Sequence, residues 1–124
     1  MNVLDSSAWL AFFADEKKAE IFRPIVLDTE TLFVPTICIY EVFKVILRER
    51  DESSALFFIV VMQKARIINI DFEISLNAAK LNSSFKLPMA DSMILASANK
   101  VNATLWTQDS DFKEIESVMY YPKK

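Results

Sequence analysis

Short apolar runs alternate along this chain with longer segments in which apolar residues recur every three or four positions. The runs predict strands at about 2–5, 32–34, 66–70, 103–107 and 118–121. The helical patterns lie at about 8–13, 17–27, 36–50, 55–64, 71–82, 89–100 and 111–115. Because strands that alternate with helices form βαβ units, the pattern predicts an α/β fold. We expect a three-layer α/β/α sandwich with a mainly parallel central sheet.

Several polar residues and prolines mark the predicted helix boundaries. Ser6, Thr36 and Asp71 are expected N-caps, because their side-chain oxygens can accept hydrogen bonds from free backbone N–H groups. Pro88 is expected near the first position of its helix, where a missing N–H costs nothing. Asn102 is expected to replace glycine at a turn with positive φ.

The size of the chain indicates one domain. It has 124 residues and an apolar fraction of 52%, and no repeat or linker divides it, so residues 1–124 are expected to form a single domain. No apolar run approaches the roughly 20 residues that cross a bilayer, and the N-terminus lacks a signal-peptide pattern. The only cysteine, Cys38, cannot form an internal disulfide. These features favour a soluble cytoplasmic protein with no membrane contact.

Two missing residue types narrow the chemistry. The chain has no histidine, which excludes Ser-His-Asp and Cys-His catalysis and most zinc sites. It also has no glycine, which excludes the glycine-rich loops that bind nucleotide phosphates. The net charge of −3 predicts no general attraction to nucleic acid, so a nucleic-acid enzyme would need a metal and a local basic patch.

Four acidic residues occupy positions that bring distant parts of the chain together. Asp5 and Asp109 follow predicted strands, Asp91 opens a helix, and Glu41 lies among apolar neighbours on another helix. Each has an ordinary structural explanation: Asp5 and Asp109 as helix caps, Asp91 as a first-turn acid, and Glu41 as an ion-pair partner of Lys44 or Arg48. In a parallel sheet, however, residues after the strands meet at one edge, which is the usual ligand site.

Carboxylates gathered at one edge of a sheet repel one another unless a cation lies between them. At 4–5 Å the repulsion is about 3 to 4 kcal/mol per pair at an effective dielectric of about 20. Mg²⁺ or Mn²⁺ is the matching cation, because hard cations take oxygen ligands. Such a metal favours phosphodiester hydrolysis of RNA or DNA, which needs neither histidine nor a covalent intermediate.

Four segments resemble the PIN-domain nucleases, and among them the VapC-type toxins of toxin–antitoxin pairs. The opening 2–10 is similar to the family's first strand with its catalytic Asp, and 36–42 to the helix with the catalytic Glu. Segments 87–98 and 105–112 resemble the third and fourth motifs. The resemblance runs the length of the chain and departs from the family in the absence of glycine, notably at Asn102.

The resemblance implies a PIN-like fold and a set of site residues. The implied catalytic residues and metal ligands are Asp5, Glu41, Asp91 and Asp109, and the implied supporting residues are Ser7, Thr107 and Asp111. It also implies a Mg²⁺- or Mn²⁺-dependent endoribonuclease that forms a homodimer and is neutralised by a cognate antitoxin. The RNA target is not implied.

Two surfaces have predicted roles in addition to the acidic residues. Lys44, Arg48 and Lys86 are candidates for RNA binding, with a solvated helix face as the alternative. The segment 55–64 is apolar nearly all round, so most of it should be buried. Part of the segment is therefore a candidate dimer seam or antitoxin groove, with a core helix as the alternative.

Two other functions fit an α/β sheet with acidic strand ends. The first is a receiver or phosphatase that forms an aspartyl phosphate. A receiver needs an acid pair after its first strand, but serines follow Asp5, and a phosphatase needs a second Asp where Ser7 stands. The second alternative is a non-catalytic interaction module on the same fold, for which four converging carboxylates would be unnecessary.

Overall fold

The computed structural model describes residues 1–123, except the side chain of Lys18. The strands are β1 (Asn2–Leu4), β2 (Leu32–Pro35), β3 (Arg66–Ile68), β4 (Thr104–Thr107) and β5 (Met119–Tyr120). The helices are α1 (Ser6–Phe13), α2 (Arg23–Leu27), α3 (Thr36–Glu49), α4 (Glu52–Met62), α5 (Phe72–Phe85) and α6 (Met89–Lys100). Two 3₁₀ segments occupy Lys17–Ile21 and Ser110–Phe112.

The strands form one sheet in the order β3-β2-β1-β4-β5, and every neighbouring pair is parallel. β1 pairs with β2 in the register Asn2 to Leu32, and with β4 in the register Asn2 to Thr104. The chain therefore runs from β1 to one edge of the sheet and then returns to the other side of β1. This reversal is a topological switch point, where a crevice opens at the carboxyl ends of the two central strands.

The direction of each crossover places the helices in layers. Because such crossovers are right-handed, α1 to α4 cover one face of the sheet, and α5 and α6 cover the other. The main core includes the fully buried Trp9, Phe22 and Phe112. A smaller cluster packs β3 against α5 and α6 through Ile68 and Ala78. This three-layer α/β/α sandwich confirms the fold expected from the sequence.

Two of the expected helix starts differ in detail from the structure. Asp5, and not Ser6, caps α1, because its carboxylate accepts the backbone N–H of Ala8. Thr36 is the first residue of α3, with Pro35 at the N-cap position and no side-chain hydrogen bond there. Pro88 occupies the N-cap position of α6, next to its first residue Met89, as expected.

Of the remaining helix boundaries, the start of α5 agrees with the sequence-based expectation and two others differ from it. Asp71 caps α5 as expected, and its carboxylate accepts the N–H of Ile74 at 2.9 Å. The helix expected at 17–27 is divided into a 3₁₀ segment and α2, because Pro24 lies in the first turn of α2. The helix expected at 111–115 is only the 3₁₀ turn Ser110–Phe112. No helix among residues 1–123 combines the length and apolar character that a bilayer crossing requires.

The expectation that α4 is mostly buried is wrong for this chain by itself. Of its apolar residues only Ala55 and Met62 are buried. Leu56, Phe57 and Val60 are 50%, 64% and 56% exposed. The helix packs chiefly on α3, and a helix that is apolar on all sides cannot be covered by one neighbour. An apolar surface is therefore left on the outside of the molecule.

Three of residues 1–123 adopt the left-handed conformation that glycine usually occupies. Asn102 has φ 55° as expected, and Asp15 and Lys86 have φ 54° and 57°. Lys86 ends α5 in this conformation, and its N–H donates to the carbonyl of Asn82. A left-handed lysine costs more than a left-handed asparagine, because its Cβ crowds the carbonyl and its side chain makes no compensating local hydrogen bond.

Replacement of Lys86 by glycine should therefore stabilise the protein. We expect Lys86→Gly to raise the free energy of unfolding by about 0.5 to 1 kcal/mol, which is the relieved strain less the added chain entropy. Lys80→Gly, the same substitution at an exposed position inside α5, should lower it by about 1 kcal/mol. Urea unfolding of both variants provides the measurement, and equal losses in both would contradict the assignment of strain to Lys86.

Candidate metal centre

Three aspartates meet beside the switch point of the sheet. Asp91 lies in the first turn of α6, and Asp109 and Asp111 follow β4. One carboxylate oxygen from each lies within 4.8 Å of the others. Asp91 and Asp109 are half-buried and Asp111 is exposed. The cluster therefore joins the start of one helix to the end of a central strand and opens to solvent on one side.

Asp5 lies behind this cluster, at the end of β1, and is only 2% exposed. Its Oδ1 accepts hydrogen bonds from Ser7 Oγ at 2.7 Å and from the N–H of Ala8 at 3.0 Å. Its Oδ2 accepts one from Thr107 Oγ1. Since two carboxylate oxygens offer about four acceptor positions, one remains for a further ligand. Asp5 is thus a helix cap and a potential metal ligand at the same time.

Burial raises the pKa of Asp5 from 3.8 to about 6. The hydrogen bonds from Thr107, Ser7 and Ala8 lower the pKa, because they favour the charged carboxylate, but they do not offset the burial. The nearby charge of Asp109 raises it further. Asp5 therefore belongs to the electrostatic environment of the cluster, although its oxygens are not among the three that lie within 4.8 Å of one another.

The pKa of Asp91 is raised more, from 3.8 to about 8. Burial is the largest cause, followed by the charge of Asp109 and by a hydrogen bond to Asp111 that favours the protonated form. The charges of Asp5 and Asp111 contribute in the same direction. Without a cation, the site relieves its repulsion by holding a proton.

Ser7 and Thr107 connect the two central strands at this point. Ser7 Oγ accepts the N–H of Gln108 at 3.0 Å while it donates to Asp5. Thr107 Oγ1 accepts the N–H of Asp109 at 2.8 Å while it donates to Asp5. Each hydroxyl therefore fixes the position of Asp5 relative to the backbone that carries Asp109.

Glu41 approaches from α3 and is held by a residue that the sequence analysis did not assign to the site. Ser6 Oγ donates to Glu41 Oε1 at 2.5 Å. Neither expected ion pair is found among residues 1–123. The ammonium of Lys44 lies 5.3 Å from the ring centre of Tyr40, and Arg48 pairs with Glu49 at 3.0 Å. The carboxylate of Glu41 thus carries no internal counterion in the described part of the chain.

The buried thiol of Cys38 shows how the acids are arranged. Its Sγ donates to the carbonyl of Leu4 at 3.7 Å. Burial raises its pKa well above 9.0, and the charges of Asp5, Glu41 and Asp91 raise it further. Glu41, Asp5 and Asp91 therefore lie close enough to one buried thiol to raise its pKa, so Glu41 belongs to the same region of the molecule as these aspartates.

The basic residues that were expected near the site are all exposed. Lys44 and Arg48 lie on α3 beyond Glu41, and Lys86 precedes α6. Their ammonium and guanidinium groups make no ion pair with the aspartate cluster among residues 1–123. The cluster is consequently a concentration of uncompensated negative charge.

The chemistry of this donor set fits a hard divalent cation. Within residues 1–123 the groups at the site are carboxylate oxygens with hydroxyl oxygens beside them, and the one nearby sulfur is the buried thiol of Cys38. The raised pKa of Asp91 indicates that the arrangement is unfavourable when every carboxylate is charged and no cation is bound. Asp5, Asp91, Asp109, Asp111 and Glu41 are the residues that could hold the ion.

Two residues of this region, Ser6 and Gln108, are not among the site residues predicted from the sequence. Ser6 had been assigned to helix capping, and the meeting of α1 with α3 that brings it to Glu41 has no signal in the sequence. Gln108 is buried between Thr107 and Asp109, and it lines a cavity beside the cluster together with Tyr120 and Lys123. Gln108 could have been identified from the sequence, because it is a polar residue between two predicted site residues at the end of a strand.

Solved structures with the same fold include several toxin–antitoxin proteins. One is a toxin–antitoxin complex from Klebsiella pneumoniae, 22% identical, with a TM-score of 0.83 over 98% of this chain and 99% of that chain. A second is VapC20 from Mycobacterium tuberculosis, a Sarcin-Ricin loop cleaving toxin, 14% identical, with a TM-score of 0.80 over 98% and 100%. A third is FitAcB from Neisseria gonorrhoeae, 17% identical, with a TM-score of 0.76 over 98% of both chains. At these identities the similarity establishes the fold.

No curated protein sequence matches this chain. The family model of the PIN domain matches residues 3–118, which include most of β1 and the whole aspartate cluster. The match ends just before β5. The match confirms the family resemblance found in the four motifs. The chain belongs to the PIN domain family.

Proposed function

We propose that this protein is a metal-dependent endoribonuclease that hydrolyses RNA phosphodiester bonds, and that it is the toxin of a toxin–antitoxin pair. The observation that carries the proposal is the approach of three carboxylate oxygens to within 4.8 Å at the switch point of a PIN fold. The similarity to the toxin–antitoxin complex from Klebsiella pneumoniae and to VapC20, a Sarcin-Ricin loop cleaving toxin, supports it. Residues 1–124 act as one PIN-like domain in this proposal.

The proposed metal is Mg²⁺ or Mn²⁺, and the proposed ligands and catalytic residues are Asp5, Glu41, Asp91 and Asp109. Asp111 joins them, because its carboxylate lies within the same 4.8 Å group. When bound, the cation supplies neutralisation of the charge that develops on the phosphate and lowers the pKa of water. Ser7 and Thr107 orient the carboxylate of Asp5 through the hydrogen bonds described above.

Glu41 is the proposed acceptor of the proton from the attacking water. Its carboxylate lies outside the close group of three aspartates and is oriented by Ser6. It is also half-buried, so it remains accessible from the solvent side. Lys44, Arg48 and Lys86 are the proposed contacts to RNA phosphates. Because the net charge of the chain is −3, only local groups of basic side chains can attract the RNA.

The proposed protein partners are a cognate antitoxin and a second copy of this chain, in the cytoplasm. Several structures of the same fold are toxin–antitoxin complexes, among them VapBC proteins from Rickettsia felis and Salmonella typhimurium bound to DNA. The uncovered apolar side chains of α4 provide a surface that a protein partner could bury. Neither partner is needed for the carboxylate geometry described here.

The environment of Asp5 does not favour an aspartyl-phosphate reaction. A nucleophilic carboxylate must reach the phosphorus atom, but Asp5 is 2% exposed and accepts hydrogen bonds from Ser7, Thr107 and the backbone. A purely non-catalytic module would also gain nothing from the repulsion between Asp91 and its neighbours. Metal-dependent hydrolysis accounts both for the buried, hydrogen-bonded carboxylate of Asp5 and for the repulsion around Asp91.

Thermal denaturation provides a direct test of the metal. We expect millimolar Mn²⁺ or Mg²⁺ to raise the melting temperature of the wild type by several degrees, because saturation at about 100 times Kd adds about 2.7 kcal/mol to stability. Asp91→Asn should lose most of this shift. Glu30→Gln, which removes an exposed carboxylate far from the cluster, should keep it. Equal shifts in all three proteins would mean that the ions bind elsewhere.

Cleavage of RNA provides the test of function. Asp91→Asn and Asp109→Asn should each reduce metal-dependent cleavage at least about 100-fold, because each removes a ligand charge at the reacting phosphate. Circular dichroism should show an unchanged fold, and Glu30→Gln should cleave like the wild type. RNA cleavage that persists in EDTA, or in both aspartate variants, would refute the proposed site.

The stability of the metal-free protein should fall as the pH rises. The folded-state pKa values of Asp5 and Asp91 are about 6 and about 8, against 3.8 for an ordinary aspartate. Between pH 4 and 8 the folded protein therefore holds protons that the unfolded chain has released, so each rise in pH favours unfolding. In EDTA the melting temperature should be higher at pH 5 than at pH 8, and Asp91→Asn should reduce the difference. A wild type that is more stable at pH 8 than at pH 5 would contradict this.

A further inference from the structure

A cavity beside the aspartate cluster has a lining that the proposed catalytic chemistry does not use. Its volume is about 410 Å³, and its lining residues are Ser7, Gln108, Asp109, Ser110, Tyr120 and Lys123. It shares Asp109 with the cluster, so a molecule inside the cavity would be adjacent to the proposed metal. The volume lies within the range of about 300 to 1,000 Å³ typical of small-ligand sites.

Gln108 is the most informative residue of this lining. It is 4% exposed, and its backbone N–H donates to Ser7 Oγ at 3.0 Å. Its side-chain amide makes no hydrogen bond with any residue in the part of the chain that the structure describes. Among the described residues only Trp9 Nε1 is a fully buried polar side-chain atom without a partner, so the Gln108 amide keeps contact with solvent at the cavity wall. A ligand that offers both a donor and an acceptor can bind the amide there. The edges of nucleobases offer such pairs.

Tyr120 and Lys123 provide two further groups of the kind that bind nucleotides. Tyr120 is half-buried, and no other ring packs on it among residues 1–123, whereas its neighbour Tyr121 stacks on Trp106. Lys123 is exposed and forms no ion pair with the described residues. An aromatic ring, an amide and an ammonium that line one cavity can contact the base and the phosphate of a nucleotide.

We propose that this cavity is a nucleotide subsite, which binds one nucleotide next to the scissile phosphate of the RNA. Gln108 forms hydrogen bonds with the base edge, the ring of Tyr120 packs against the base, and Lys123 binds a flanking phosphate. This assignment rests on the proposed function, because it takes the polymer to be RNA. Gln108 is thus a specificity residue and not a catalytic one.

Nucleotide binding without metal separates this inference from the proposed function. In EDTA, where no cleavage occurs, the four 5′-mononucleotides are titrated into the protein and followed by NMR. We expect the wild type to bind at least one of them at up to 10 mM. Gln108→Leu, which keeps the size of the side chain, and Lys123→Gln should each weaken binding about tenfold, as expected for loss of a hydrogen bond or of a charged contact to the ligand. Lys80→Gln, on the exposed face of α5, is the matched control and should bind like the wild type.

Cleavage of an RNA pool randomised around the cut provides the second measurement. With Mn²⁺, the wild type should prefer certain bases at one position beside the cut, and Gln108→Leu should lose that preference while it keeps the Mn²⁺-induced rise in melting temperature. Lys123→Gln is an exposed change and tests the cavity even if Gln108→Leu does not fold.

The outcomes of these experiments distinguish the nucleotide subsite from the proposed nuclease function. Failure of the wild type to bind any mononucleotide at 10 mM, or equal binding by all variants, overturns the subsite, whether or not RNA is cut. Nucleotide binding that depends on Gln108 and Lys123 without RNA cleavage supports the subsite and refutes the proposed function. Cleavage with an unchanged base preference in Gln108→Leu supports the nuclease and overturns the role of Gln108.

Discussion

Two hydroxyl groups hold the ends of the central strands together, and the carboxylate site depends on them. Ser7 and Thr107 both donate to Asp5 and both accept a backbone N–H from the segment after β4. The residues they join are about one hundred positions apart in sequence. The contact therefore forms only when β1 and β4 pair in their correct register. This contact keeps the negatively charged carboxylates close together. The free energy of folding of the sheet and the core offsets their repulsion.

The acidic positions could be predicted because strand ends are readable from the sequence. Asp5 and Asp109 follow apolar runs that can only be short strands, and parallel pairing of those strands brings them to one edge. The close approach of Asp111 to Asp91 could not be predicted, because it depends on the 3₁₀ turn that redirects the chain after Asp109. Short turns of this kind are set by packing and carry little periodic signal.

The failure to predict the exposure of α4 has a different cause. The apolar pattern of the helix predicts burial, but the sequence does not state which neighbour provides the cover. In α4, which packs chiefly on α3, Ala55 and Met62 are buried and Phe57 stays at the surface. The partner of Glu41 was missed for a related reason. Lys44 and Arg48 are near it along the helix, whereas Ser6 reaches it from α1, whose crossing of α3 is a property of the tertiary fold.

The use of asparagine, lysine and aspartate at the three left-handed positions has a consequence for the denatured ensemble. Glycine is the residue that samples the most backbone conformations before folding, and this chain contains none. The unfolded polypeptide therefore has less configurational freedom to surrender when it becomes ordered. The chain accepts local strain at Asp15, Lys86 and Asn102 in the native state. In the unfolded chain, each loop consequently has fewer accessible backbone conformations than a loop that contains glycine.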